Sequence, residues 1–373
     1  MKYISLLLIA ILLFSGCQAD QAAPDNDKLT VMASLYPQYD FARQVGGDVV
    51  DVTLLLPPGV EAHSYEPTPK EIVSIEASDL FLYTGEHMEP WAHRLIDGTG
   101  DVTALDLSQS VQMIEGEAHD HEHEHDEDAD DDHEHDEDAD HEHEHDDDAD
   151  HEHEHDDDAD HEHEHDDDAD HEHEHDEDAD HEHEHDEDAD DHHDHDHDGI
   201  DPHIWTDPKN AILMVEAIRD ALIEIAPEHE ATFVDNASSY IAQLEQLDHD
   251  FENLFDEQEE VDIFFAGHNA FGYFAHRYGL HFHSPYSGYS PDAEPSPRSI
   301  TELMEKMAEA DSKVIYYEEL IEPKVAEVIR DATGAEMMLL NGAHNVSKED
   351  LAAGISYVDI FRENLDALRK GLE

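Results

Sequence analysis

The sequence predicts an α/β protein of two strand–helix alternating lobes joined by one long helix. Three observations predict it. Short apolar, β-branched runs alternate with amphipathic segments between residues 29 and 83. The same alternation resumes after residue 257. Between the two lies a helical stripe that no Gly interrupts from Pro227 to Phe255, about 40 Å at 1.5 Å per residue. Strands that alternate with helices imply a parallel sheet in each lobe.

The elements follow in order. Leu29-Thr-Val-Met-Ala-Ser34 is a first strand, and Tyr36 to Val45 a helix stopped by Gly46-Gly47. Val49 to Leu56 is a second strand ending at Pro57-Pro58-Gly59. Thr68 to Ala77 is helical, with Thr68 as N-cap, Pro69 at the first helical position and Glu71 completing a capping box. Asp79 to Tyr83 is a third strand. Asp207 caps a helix that opens with Pro208 and runs to Ala226. The long helix then carries Phe233, Ala237, Tyr240, Leu244 and Leu247 on one face. Val261 to Ala266 (strand), Ala270 to Tyr278 and Ile300 to Ala310 (helices), Val314 to Tyr317 (strand), Pro323 to Thr333 (helix), Met337 to Leu340 (strand) and a last helix from Tyr357 complete the second lobe. The predicted boundaries are 29–226 for the N-terminal lobe, 227–256 for the linker helix and 257–373 for the C-terminal lobe.

Two segments stand outside this plan. Lys2 precedes an apolar stretch from Ile4 to Phe14, too short for a bilayer, which needs about twenty residues. Ser15-Gly16-Cys17 ends it. Residues 1–17 therefore read as a signal peptide with a lipobox, in which Cys17 would be lipidated, or as a cleaved leader with an incidental Cys. Residues 18–28 are a small, polar tether. Cys17 is the single cysteine, so no intrachain disulfide is possible. From His119 to Asp198 the chain is a decapeptide array of the form His-Glu-His-Glu-His-Asp-(Asp/Glu)-Asp-Ala-Asp. With no apolar face at any period it is expected to be a disordered insertion. It reads as a loose multivalent metal collector, or as a solvated tract grown by repeat slippage.

The array holds 48 of the 101 Asp and Glu and 25 of the 36 His, and none of the 17 Lys and Arg. The rest of the chain is thus strongly acidic in its own right, which excludes nucleic acid as a partner. Outside the array, His63, His203 and His268 each follow a strand or sit in a loop entering a helix. That is where α/β sheets place their ligands. Any one alone reads as a structural histidine; three in equivalent positions point to a transition-metal site.

The motifs Pro-Pro-Gly-Val-x-x-His63-x-Tyr-Glu-Pro-Thr-Pro and Asp201-Pro-His203-x-Trp-x-Asp-Pro resemble those of the solute-binding receptors of zinc and manganese ABC importers. Gly267-His-Asn-Ala-Phe-Gly-Tyr273 and Ala293-Glu-Pro-Ser296 add to the likeness. The resemblance implies a rigid linker helix, a metal in the cleft between lobes, and His63, His203 and His268 as its ligands. It also implies a His-rich loop ahead of the second ligand in zinc-selective members. Many members supply a fourth, acidic ligand where this chain has His344. His344 is read as the fourth ligand, with Glu61 or water as the alternative. Glu66 and Tyr65 are candidate groups behind the ligands or on the cleft wall.

The implied function is a high-affinity extracytoplasmic zinc receptor, a lipid-anchored monomer that delivers Zn²⁺ to a membrane permease. It is not an enzyme: there is no His-Glu-x-x-His motif and no adjacent general base. A manganese or iron receptor of the same fold, or a zinc-storage or adhesion lipoprotein, are the alternatives. Three or four imidazoles favour zinc over manganese. Because free imidazole protonates near pH 6.5, capture is expected to weaken towards that pH.

Overall fold

In a computed structural model, the structure describes residues 28–99, 102–114, 199–256, 258, 260–291 and 294–373. The signal peptide, Cys17, most of the tether and the array from His119 to Asp198 lie outside the described residues.

The first half opens with β1 (Leu29–Ala33), α1 (Tyr36–Gly46), β2 (Val50–Leu54), α2 (Pro69–Glu76), β3 (Leu80–Tyr83), α3 (Pro90–Thr99) and β4 (Ala104–Asp106). Its sheet has the order β2-β1-β3-β4, every pair parallel. Then come α4 (Pro208–Ile225) and α5 (Glu230–Phe255). The second half follows with β5 (Asp262–Ala266), α6 (Gly272–Tyr278), β6 (His281–His283), α7 (Pro297–Glu309), β7 (Val314–Tyr317), α8 (Lys324–Thr333), β8 (Glu336–Leu339), α9 (Lys348–Ala353) and α10 (Tyr357–Gly371). Its sheet repeats the plan, β6-β5-β7-β8, again all parallel. Among the described residues no helix is long and apolar enough to cross a membrane.

The α/β plan of two lobes and a long connecting helix is met. The differences are local. The long helix starts at Glu230, because Pro227–His229 forms a separate 3-10 turn. The edge strands β4 and β6, with three residues each, carry no legible apolar run and are formed by pairing to β3 and β5. Thr68 closes the capping box at α2 as its sequence requires.

α5 buries Phe233, Ala237, Tyr240, Leu244, Leu247, Phe251 and Phe255, a stripe at helical spacing. That stripe lies in one apolar core that takes in Val31 and Leu82 of the first sheet and Ile263 and Phe265 of the second. A polar knot supplements it. The buried Asp40 of α1 accepts from Tyr240 Oη of α5 at 2.8 Å and from the Tyr357 backbone N–H of α10 at 2.9 Å. The two sheets are therefore tied through continuous packing as well as through the chain, which fixes the ligand-bearing loops at their carboxyl ends.

Candidate metal centre

Four imidazoles converge. His63 lies in the loop after β2, His203 just ahead of α4, His268 in the loop after β5, and His344 in the loop after β8. Their ligating nitrogens all lie within 4.8 Å of one another. The Nε2 of His63 is 3.3 Å from that of His203 and 3.3 Å from that of His268, and His268 is also 3.3 Å from His203 and from His344. A tetrahedral ion with metal–nitrogen bonds of about 2.0–2.1 Å has an edge of about 3.3–3.4 Å. Four of the six spacings therefore match the edges of a four-nitrogen zinc site. His203, His268 and His344 are buried; His63 is half-buried.

Local sequence explains each placement. Asp201 accepts from the His203 backbone N–H at 2.9 Å and from its Nδ1 at 2.8 Å, so the Asp-Pro-His order pre-sets the ring. Gly272 lets this carboxylate pack on the backbone; a Cβ there would stand 2.1 Å from Asp201 Oδ2. That accounts for the second Gly of the His268 motif. His268 Nδ1 donates to Glu318 at 2.6 Å, and His344 Nδ1 to Glu319 at 3.0 Å. These two consecutive acids directly follow β7 and orient two different histidines. With Nδ1 protonated and bonded, Nε2 presents its lone pair to the centre. Trp205 is fully buried with its edge towards His203 (centroids 5.5 Å apart) and His344 (5.3 Å).

Glu61 is not in the converging group. Its carboxylate accepts from the backbone N–H of His63 at 2.7 Å and of Ser64 at 2.9 Å, shaping the loop that carries His63. Glu66 is exposed beside Arg94, and the Tyr65 hydroxyl donates to the Leu55 carbonyl, so neither reaches the ligands directly. Glu318 and Glu319 were missed by sequence reasoning. Their position at the carboxyl end of a strand, opposite a ligand loop, was the available signal.

Burial holds the His63 imidazole well below the usual histidine range, with His268 and His344 adding to it. Burial, then His344, His63 and His268, does the same to His203. Burial and the adjacent Glu319 push the Glu318 carboxyl up to about 8. Burial pushes Asp201 up to about 7. Burial would also raise Glu319, but its bonds to His344 and Gly342 outweigh that and hold it below the usual carboxylate range.

The pH expectation changes accordingly. Groups whose pKa is depressed on folding stay proton-free below about pH 6.5, where the unfolded chain takes up protons. His63 and His203 should therefore withdraw stability from the metal-free fold as pH falls below about 6.5, while Glu318 and Asp201, whose raised carboxyls take up protons sooner in the folded chain, act in the opposite direction. His63 and His203 should themselves remain available there. Zinc affinity is therefore expected to change less than about fivefold between pH 7.5 and 6.5 and to fall further below that. Chelator competition at stepped pH checks this. A tenfold loss already by pH 6.5 would show that the imidazoles titrate like free ones.

Two parallel-sheet lobes bridged by a long helix, with four histidine-bearing segments converging on one candidate centre, define a solute-binding receptor for a metal ion. The chain belongs to the family described as zinc-uptake complex component A, periplasmic (ZnuA), which it matches over residues 31–371. It is 32% identical to the high-affinity zinc uptake system protein ZnuA of Bacillus subtilis, over 100% of this chain and 98% of that protein. It is 31% identical to the zinc-binding lipoprotein AdcA of Streptococcus pneumoniae, over 99% of this chain but only 61% of the relative's length. The solved Zn(II)-bound AdcA of S. pneumoniae superposes with a TM-score of 0.64 at 27% identity, over 92% of this chain and 57% of that one.

Proposed function

We propose that this chain is an extracytoplasmic zinc receptor that captures Zn²⁺ through His63, His203, His268 and His344 and delivers it to an ABC permease. The observation that carries the reading is the set of four Nε2 atoms at tetrahedral spacing. The likeness to zinc-uptake and zinc-binding relatives supports it. Zinc is cargo here. Four neutral imidazoles leave its double charge intact; Asp201, Glu318 and Glu319 accept from the far side of three of the four rings, and the Glu319 carboxylate offsets part of that charge. Those acids face Nδ1, so the centre offers nitrogen only, which disfavours manganese. Four protein ligands also close the coordination sphere, whereas a hydrolytic zinc keeps a position open for water.

A small cavity of about 120 Å³ borders the cluster, lined in part by Glu61, His268, Glu318, Glu319 and His344. Its acidic lining suits the approach of a cation. In this reading Cys17 carries the lipid anchor, the receptor acts as a monomer, and the array gathers zinc weakly at many points. The test is zinc and manganese titration by calorimetry, with competing chelator, on the full chain and on a form lacking residues 119–198. The expected result is one tight zinc site in both forms, with several weak sites and no other difference in the full chain. Loss of the tight site on deletion, or tighter binding of manganese than of zinc, would overturn the reading.

A further inference from the structure

Three of the four imidazoles are oriented by a carboxylate on Nδ1: His203 by Asp201, His268 by Glu318 and His344 by Glu319. Among the described residues, no group accepts from the Nδ1 of His63. Its position depends on its loop, which Glu61 shapes from within and which is also held from the opposite half of the chain. The amide of Asn345, 1% exposed, donates to the Pro57 carbonyl at 2.8 Å and to the Val60 carbonyl at 2.9 Å. Its own oxygen accepts from the Val346 N–H at 2.8 Å, so the side chain is fully engaged. Beside it, the Gly59 N–H donates to the Val346 carbonyl at 3.0 Å. Gly59 has φ +81°, a conformation that favours glycine and turns the loop towards this contact.

From this geometry we infer that Asn345 is a positioning residue, a latch that joins the His63 loop to the adjacent His344 and sets how fast the closed centre releases its ion. The inference rests on the cluster being the zinc centre. Asn345 does for His63, through the backbone, what a carboxylate does for each of the other three. His63 is also the most exposed of the four, hence the ligand that can leave first. For His63 to swing away with its loop, both amide bonds of Asn345 must break. The two carbonyls they satisfy would then have to find water.

A role confined to filling a buried polar site would loosen the fold without regard to His63. A double-mutant cycle separates the two. Trp205 is one of two tryptophans and touches two of the ligand rings, so its fluorescence reports the centre and not the array. The full chain is loaded with Zn²⁺ and mixed with excess EDTA, and the rate of release is read from that signal. Asn345→Ala is expected to speed release about tenfold, the lower end of the effect of removing a partner that orients a ligand. In the His63→Ala background the same substitution should change the rate by less than about twofold, because the ligand it acts through is gone. If Asn345→Ala fails to fold, Asn345→Ser, which keeps a single donor, carries the same comparison. An unchanged rate in the otherwise native chain overturns the latch, as does an equal acceleration in both backgrounds. If His63→Ala itself leaves zinc binding intact, the zinc-centre reading beneath the inference falls instead.

Discussion

Replacing His203 with Ala is expected to weaken zinc binding at the centre by about a hundredfold or more while leaving the fold in place. The estimate follows from sharing roughly 12 kcal/mol of a four-ligand zinc site over its ligands, about 3 kcal/mol each. Of the four proposed ligands, His203 has most to lose. It is fully buried, its Nε2 stands 3.3 Å from two of the other three, and Trp205 packs against it. Its removal also leaves the buried Asp201 carboxylate without the ring it orients. The fold should survive because the shared core is built on α5 and both sheets, and His203 is not one of its residues. Chelator competition read through Trp205, beside far-UV circular dichroism, measures both. Affinity within threefold of the native chain would remove His203 from the ligand set.

The architecture was legible because buried parallel strands read as continuous apolar runs. Leu80–Tyr83 is buried at every position and was found as Asp79 to Tyr83. Strands β4 and β6 were not found, since three-residue edge strands such as His281–His283 take their geometry from a neighbour and not from their own residues. The helix α9 was missed although Ser347 caps it through Asp350 N, a signal that a six-residue helix makes easy to overlook. In the centre, the histidines could be named because each sits in a compact motif at a strand or helix end. Asp201, two residues from its ring, was within such a motif. Glu318 lies fifty residues from His268, and Glu319 twenty-five from His344. Consecutive acids ordinarily read as a solvated pair; here topology alone turns them towards the ligands. Asn345 carries no sequence signal at all, because its partners are backbone carbonyls nearly three hundred residues away.

Glu319→Ala is expected to cost about a hundredfold in zinc affinity, and Glu319→Gln about tenfold, the range found when partners of metal-bound histidines are removed. Glu319 holds more than a ring. Besides His344 Nδ1 it accepts from the Gly342 N–H at 2.8 Å and from the His344 N–H at 3.3 Å, fixing the backbone on both sides of Ala343. Ala343 is held at φ +58°, a left-handed conformation that a residue with a side chain adopts only when its neighbours enforce it. The Ala variant leaves these donors buried and unpaired, at about 1–3 kcal/mol each where water cannot replace the acceptor. Stability of the metal-free protein should therefore fall along with affinity. The Gln variant separates the two contributions. Its amide oxygen can still accept from the His344 N–H and Nδ1 while its NH2 group faces the Gly342 N–H, so the loop should keep more stability in thermal unfolding than in the Ala variant. It brings no negative charge to His344, so the imidazole becomes a weaker base and the dication loses a charge that offsets it. Affinity should then fall about tenfold while the unfolding temperature stays above that of the Ala variant. If Glu319→Gln binds zinc as tightly as the native chain, the carboxylate only shapes the loop, and the charge placed behind His344 plays no part in holding the ion.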